Sequence, residues 1–295
     1  MRNNGLITTR QLAFRFHFFA FLILSLITLI PLIYTFRMSL FNYQLAIPGS
    51  DKEFIGFENY KKLYQDSKFY KSIRTTLVYV FSAVFVEMIL GVLIALALNR
   101  IRFMRKIFTS ALLVPMMIAP LVIGLIFSFF TNPQFGLYAY IVNSLQLPLP
   151  TVLTDDSEIA LTVLIIMDIW EWTPYMALVF LAGLQSISGE YYEAAEVDGA
   201  NKWQIFWKVT APLLKPVITV SVLLRAMEAL KEFDKPYIFT GGGPGNATEV
   251  IDLYTYRQAF TSFKFSYASA LCVVLFIVLV TLGMLYEKFV MKENS

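Results

Sequence analysis

Residues 193–216 read EAAEVDGANKWQIFWKVTAPLLKP. This polar stretch is set between two long apolar runs, 159–184 and 216–239. Residues 191–197 predict a short helix. Asp198-Gly199 predicts a turn, because glycine tolerates positive φ and commonly ends helices. Asn201 can cap a second helix carrying Trp203, Phe206 and Trp207, whose spacing of three and four places the rings on one face. On periodicity alone, that face fits an interfacial helix with its aromatics among lipid headgroups as well as it fits a docking helix.

Composition sets the surroundings of this loop. The chain has 295 residues, 57% hydrophobic and 15% charged, with a mean hydropathy of +0.63. Soluble domains average about 45–50% apolar and about 25% charged, so this composition belongs to an integral membrane protein. Cys272 is the only cysteine and His17 the only histidine. An intrachain disulfide is therefore excluded, and metal binding through thiols and hydrolysis by a histidine-based triad find no support. A net charge of +3, scattered along the chain, gives no nucleic-acid footprint.

A helix needs about 20 apolar residues to cross about 30 Å of hydrocarbon. Six segments qualify by sequence: 16–36, 75–99, 107–130, 159–184, 216–239 and 265–286. The first follows Arg2, Arg10 and Arg15; its length and lack of a small-residue cleavage site predict a retained signal anchor. Four of the seven residues 100–106 are basic, whereas 131–158 holds no Lys or Arg. The positive-inside rule then puts 100–106 in the cytoplasm. With six spans, the 193–216 loop and both termini share that side. The first outer loop conflicts, because it carries Arg37, Lys52, Lys61, Lys62, Lys68, Lys71 and Arg74. No large soluble domain or repeat is visible, so residues 1–295 read as one membrane domain, with a core of about 70–290 and a polar loop at 186–216.

Several motifs resemble the permease subunits of ATP-binding-cassette (ABC) importers. Glu193, Ala194, Ala195 and Gly199 match the spacing of that family's EAA loop, and Pro212 falls at its closing proline. Val209 and Ala211 stand where Ile and Leu are usual. Gly56-Phe-Glu-Asn-Tyr60, Asp168-Ile-Trp-Glu-Trp-Thr-Pro174, Leu181-Ala-Gly-Leu-Gln-Ser-Ile187 and Phe233-Asp234 with Thr240-Gly-Gly-Gly-Pro244 and Thr248 are similar to segments of the carbohydrate and polyol permeases. Ser188 replaces a usual proline before the EAA helix, and Thr75 a usual asparagine.

Charges within spans are expensive, at about 2.5–3.5 kcal/mol or more at mid-membrane, and usually face a polar interior. In the fifth span Arg225, Glu228 and Glu232 fall on one face by spacing. They form local pairs (Arg225 with Glu228, or Glu228 with Lys231 and Glu232 with Lys235), line a hydrophilic path for sugar hydroxyls, or do both. Asp168, Trp170, Glu171 and Trp172 in the fourth span offer the same choice, since aromatic faces beside carboxylates suit a sugar ring; Trp at a span boundary is also a membrane anchor. The run 241–245, Gly-Gly-Gly-Pro-Gly, is not a phosphate loop, because no Gly-Lys pair follows any glycine. It predicts a tight extracytoplasmic turn.

The resemblance implies an all-α membrane protein with six transmembrane helices and the type I ABC importer permease fold. It further implies a non-enzymatic permease for a sugar, oligosaccharide or polyol, or alternatively a glycerol-phosphate-like ligand. Its implied partners are a second homologous permease, two ABC subunits that bind the ATP and Mg, an extracytoplasmic substrate-binding protein and membrane lipid, in a bacterial or archaeal cytoplasmic membrane. The 193–216 loop would couple path to ATPase through Glu193, Ala194, Ala195, Asp198, Gly199, Trp203, Phe206 and Trp207. Two rivals are a secondary transporter using the buried carboxylates, which leaves the EAA pattern unexplained, and a membrane hydrolase using Asp168 or Glu171.

Overall fold

In the computed structural model, residues 9–44, 46–49, 53–101 and 103–290 are described, with side chains from 17 to 284. Arg2, Lys52 and Arg102, used above for orientation, lie outside the described residues, as do the side chains of Arg10 and Arg15. The described chain is helical, with one isolated antiparallel bridge, Phe41 to Phe54. It forms two compact units, one containing the described residues before Ser67 together with Thr255–Tyr286, the other Ser67–Tyr254.

The first unit holds α1 (Thr9–Ser39), α2 (Glu58–Tyr64) and most of the C-terminal helix. None of the apolar window of α1 is buried, as befits a helix solvated by lipid. The Gly56–Tyr60 motif anchors its end. Asn59 is buried and its amide donates to the carbonyls of Ser39, at 2.8 Å, and Phe41, at 3.0 Å. The Tyr60 hydroxyl meets Ser39 Oγ at 2.6 Å. The bond to Ser39 satisfies a carbonyl that the helix end leaves without a partner.

The second unit holds α3 (Ser67–Arg100), α4 (Arg105–Met116), α5 (Pro120–Phe130), α6 (Leu137–Ser144), α7 (Ser157–Ser186), α8 (Gly189–Val197), α9 (Lys202–Ile205), α10 (Ala211–Ala229), α11 (Asp234–Phe239) and the first four residues of α12 (Ile251–Tyr256). The final helix, α13 (Phe265–Val290), follows it. The core lies between α3 and α7, where Tyr79, Leu164, Met167, Met176 and Phe180 are fully buried. Small residues let the helices approach, as is usual where lipid supplies no hydrophobic drive between them. A Cβ on Gly91 of α3 would lie 2.7 Å from Met176 Cβ of α7, and one on Gly183 of α7 would lie 2.7 Å from Leu214 of α10.

Four helices are long and apolar enough to cross a membrane: α3, α7, and the described parts of α1 and α13. The expected count of six is not reproduced by length and composition. The third expected span is two helices, α4 and α5, bent by 88°. Pro120 sits at the start of α5, and the residue before a proline is pushed out of helical geometry. The fifth begins at Ala211 rather than 216 and stops at Ala229. It is short, and it carries Lys215, Arg225 and Glu228. Residues 230–233 leave the helix before α11 resumes.

The 241–245 turn is present. Gly241, Gly242 and Gly245 all have positive φ. Thr240 Oγ1 accepts from Gly242 N at 3.1 Å and meets Thr248 Oγ1 at 2.6 Å. Thr75 donates to the Ala247 carbonyl at 3.3 Å, and Thr76 Oγ1 accepts from Ile251 N at 2.8 Å. The Thr75-Thr76 pair thus ties this turn to α3.

Candidate functional site

Two features of the second unit carry chemistry that its packing alone does not require: a buried ionic cluster and an exposed helical hairpin.

The cluster gathers groups from α3, α7, α10, the break after α10, and α11. Arg225 of α10 pairs with Glu87 of α3, Nε to Oε2 at 2.9 Å and Nη2 to Oε1 at 3.1 Å. Arg225 Nη2 also donates to Asp168 Oδ2 of α7. The other Asp168 oxygen accepts from Lys235 Nζ at 2.7 Å. Lys235 Nζ further contacts Glu171 Oε2 at 2.6 Å and Glu232 Oε2 at 2.9 Å. Asp168 therefore joins two cations, one through each oxygen. The Arg225 guanidinium lies 4.7 Å from the centroid of the Trp172 ring, within range of a cation–π contact. Glu87, Asp168, Glu171, Arg225 and Lys235 are all buried, with Glu232 half-buried beside them. Isolated charges at this depth are prohibitively costly, whereas paired ones persist.

Of the two local patterns expected of the fifth span, the second is present, with Glu228 paired to Lys231 and Glu232 to Lys235, and the first is not. Arg225 does not pair with Glu228. Glu228 is exposed and holds Lys231 at 2.8 Å. Glu232 lies beyond the end of α10 at Ala229, so helical spacing does not govern where it points. Trp170 is also outside the cluster, exposed and packed edge-on against Phe127 at 6.0 Å. Glu87 and Lys235 join the cluster although neither was a candidate path residue. A glutamate standing alone in an otherwise uncharged span was the available signal for Glu87.

The hairpin is α8 and α9. Ser188 caps α8, accepting from Glu190 N at 3.4 Å, so the substituted proline is replaced by a working cap. At the other end Ala200 N donates to Ala195 O and Gly199 N to Glu196 O, both at 3.0 Å. This is a Schellman closure, and Gly199 takes the left-handed conformation it requires, φ 76°. Asn201 then starts α9 with a complete capping box: its side chain accepts from Gln204 N, and Gln204 Oε1 accepts from Asn201 N, each at 2.9 Å. Asp198, Glu193 and Ala194 are exposed and Ala195 is half-buried. Trp203 and Trp207 are 71% and 55% exposed and meet edge-to-face at 5.7 Å, with the half-buried Phe206 against Trp207 at 5.1 Å. A π-helical turn, Phe206–Thr210, then carries the chain into α10.

A helical membrane chain with a rigid, exposed hairpin between two of its helices is the architecture of an ABC transporter permease, and sequence comparison gives the family directly. Residues 87–291 match the family "Binding-protein-dependent transport system inner membrane component", to which this chain belongs. It is 36% identical over 90% of its length, and 86% of the other chain, to the probable ABC transporter permease protein y4oQ of Sinorhizobium fredii. It is 34% identical to the sulfoquinovosyl glycerol transport system permease protein SmoG of Agrobacterium fabrum, covering 93% of this chain and 89% of that one. In fold it superposes with a TM-score of 0.83 on a chain of a bacterial ABC transporter involved in the import of the acidic polysaccharide alginate, covering 97% of each chain at 22% identity. The chain is a multi-pass ABC permease, and its relatives are transport proteins rather than enzymes.

Proposed function

We propose that this permease imports a carbohydrate or polyol and takes its driving force through α8 and α9 from ATPase subunits on other chains. The observation that carries the reading is the exposed, doubly capped hairpin with unpartnered aromatic surface at Trp203 and Trp207. Such rings on a fixed backbone suit a groove on a soluble partner. Glu193 and Asp198 lie on the same exposed segment. In this reading the chain crosses the membrane six times with both termini cytoplasmic. It pairs with a second permease, two ATP- and Mg-binding subunits and an extracytoplasmic binding protein; the words "binding-protein-dependent" in the family description support the last of these. The carbohydrate class rests on relatives such as SmoG. Trp172 is the aromatic face best placed for a sugar ring, because it is half-buried beside the cluster. Asp168, Glu171 and Arg225 would reach substrate only when their mutual pairing is rearranged.

The test is ATPase activity of the co-expressed, reconstituted assembly with binding protein and a panel of sugars and polyols. Ligand should stimulate hydrolysis in the native assembly. Glu193→Ala and Gly199→Asp should abolish the stimulation while leaving the permease folded. Unaltered stimulation in both variants would refute the coupling role.

A further inference from the structure

Between α3, α4 and α7 lies an open cavity of about 670 Å³. Its wall is apolar, with Leu90, Ile94 and Ala97 from α3, Ile101 just beyond the end of α3, Phe108 from α4 and Trp170 from α7. From Leu90 on α3 to Ile101 just past its end the lining covers a rise of about 16 Å. That is about half of a 30 Å hydrocarbon core, so the groove has the depth of one leaflet. It ends at the α3–α4 connection. There Arg105 Nε donates to the carbonyls of Leu98 and Ile101, both at 3.0 Å, closing the end of α3. Arg100 and Lys106 flank it with exposed side chains. No acidic residue occurs anywhere between Glu87 and Asp155, so nothing on this stretch of chain neutralises them.

We infer that this groove is a binding site for an anionic phospholipid of the cytoplasmic leaflet, with an acyl chain along α3 and α7 and the headgroup phosphate at Arg100 and Lys106. The apolar wall alone would take any lipid. The exposed cations at one end, on a stretch of chain that holds no acid, select charge and direction. Juxtamembrane cations of this kind bind anionic leaflets with roughly additive strength. The inference rests on the orientation proposed above, but its readout is lipid binding, which is independent of ATPase stimulation.

The experiment uses the full-length chain in its purified assembly, titrated in detergent with phosphatidylglycerol or phosphatidylcholine and read by native mass spectrometry. Phosphatidylglycerol should bind preferentially. Arg100→Gln with Lys106→Gln should weaken it about thirtyfold, the effect of removing two such cations. Ala97→Phe, which fills an exposed groove position, should displace it while leaving both cations in place. Equal binding of the two lipids, or phosphatidylglycerol retained by either variant, would overturn the proposal. So would an Ala97→Phe variant that loses the second permease but keeps its lipid, because the groove would then be a subunit interface.

Discussion

Lys235 and Asp168, 67 positions apart, meet at 2.7 Å with both side chains fully buried. The pair fixes the segment after the break in α10 against the centre of α7. Lys235 is also the counter-charge for Glu171 and Glu232. Lys235→Met should therefore leave three carboxylates facing one another and destabilise the fold by about 3–5 kcal/mol, the usual result of deleting one partner of a buried pair. Lys231→Met removes the exposed contact with Glu228 and a screened pull on Asp252, and should change stability far less, by about 1 kcal/mol or less. Thermal unfolding in detergent compares the two directly, and equal melting temperatures would contradict the buried network.

Gly199 tests the hairpin turn without steric complication. A Cβ there meets nothing within 4 Å, so any penalty is conformational. Gly199→Ala should cost about 1–2 kcal/mol locally, seen as faster hydrogen exchange at the Gly199 and Ala200 amides. Gly199→Asn, which tolerates this conformation, should exchange more slowly than the alanine variant.

Gly91 tests the α3–α7 contact. The added methyl of Gly91→Ala falls 2.7 Å from Met176 Cβ and 3.2 Å from Ala177 N, so the helices must separate, at a cost of about 1–3 kcal/mol. Gly189→Ala adds the same methyl where nothing lies within 4 Å. Its melting temperature should match or exceed the native one, while that of Gly91→Ala falls.

Asp252, on α12 outside the long apolar helices, gives a pH dependence of defined sign. Burial pushes its carboxyl from 3.8 up to about 6, against the opposing pull of Lys231. The folded state thus binds the proton more tightly than the unfolded chain. This contribution to stability is greatest below about pH 4, declines as pH rises to about 6, and is flat above. Asp252→Asn should show a flatter melting profile between those limits. Superimposable profiles would mean that Asp252 does not titrate in this window.

Much of the architecture was legible because it is local. The length of apolar runs gives α3 and α7, and the Asp198-Gly199-Ala-Asn201 sequence gives both helix ends of the hairpin through familiar cap chemistry. The breaks were harder. The third expected span contains Pro115 and Pro120, but proline spacing does not encode the 88° bend between α4 and α5. The ionic cluster was legible only in part. Helical spacing ranks Glu228 as a partner for Arg225, but the actual partner, Glu87, lies 138 positions away on another helix. Such a pairing is decided by which faces of α3, α7 and α10 meet, a property of tertiary packing that no periodicity in one segment records. Trp170 lies outside the cluster, because a step of two residues along α7 sends it and Trp172 to different surroundings.

From Lys202 to Ala229 the chain is helical without interruption, through α9, the π-helical turn and α10. Trp203 and Arg225 thus stand on one continuous helical stretch, with about 33 Å of helical rise between them along the chain. Such a stretch has a moment arm. Tilting it by about ten degrees at its outer rings would sweep the Arg225 end through about 6 Å, far more than an ion pair can stretch and remain paired. Small displacements at the surface would thereby be converted into making or breaking a contact in the interior.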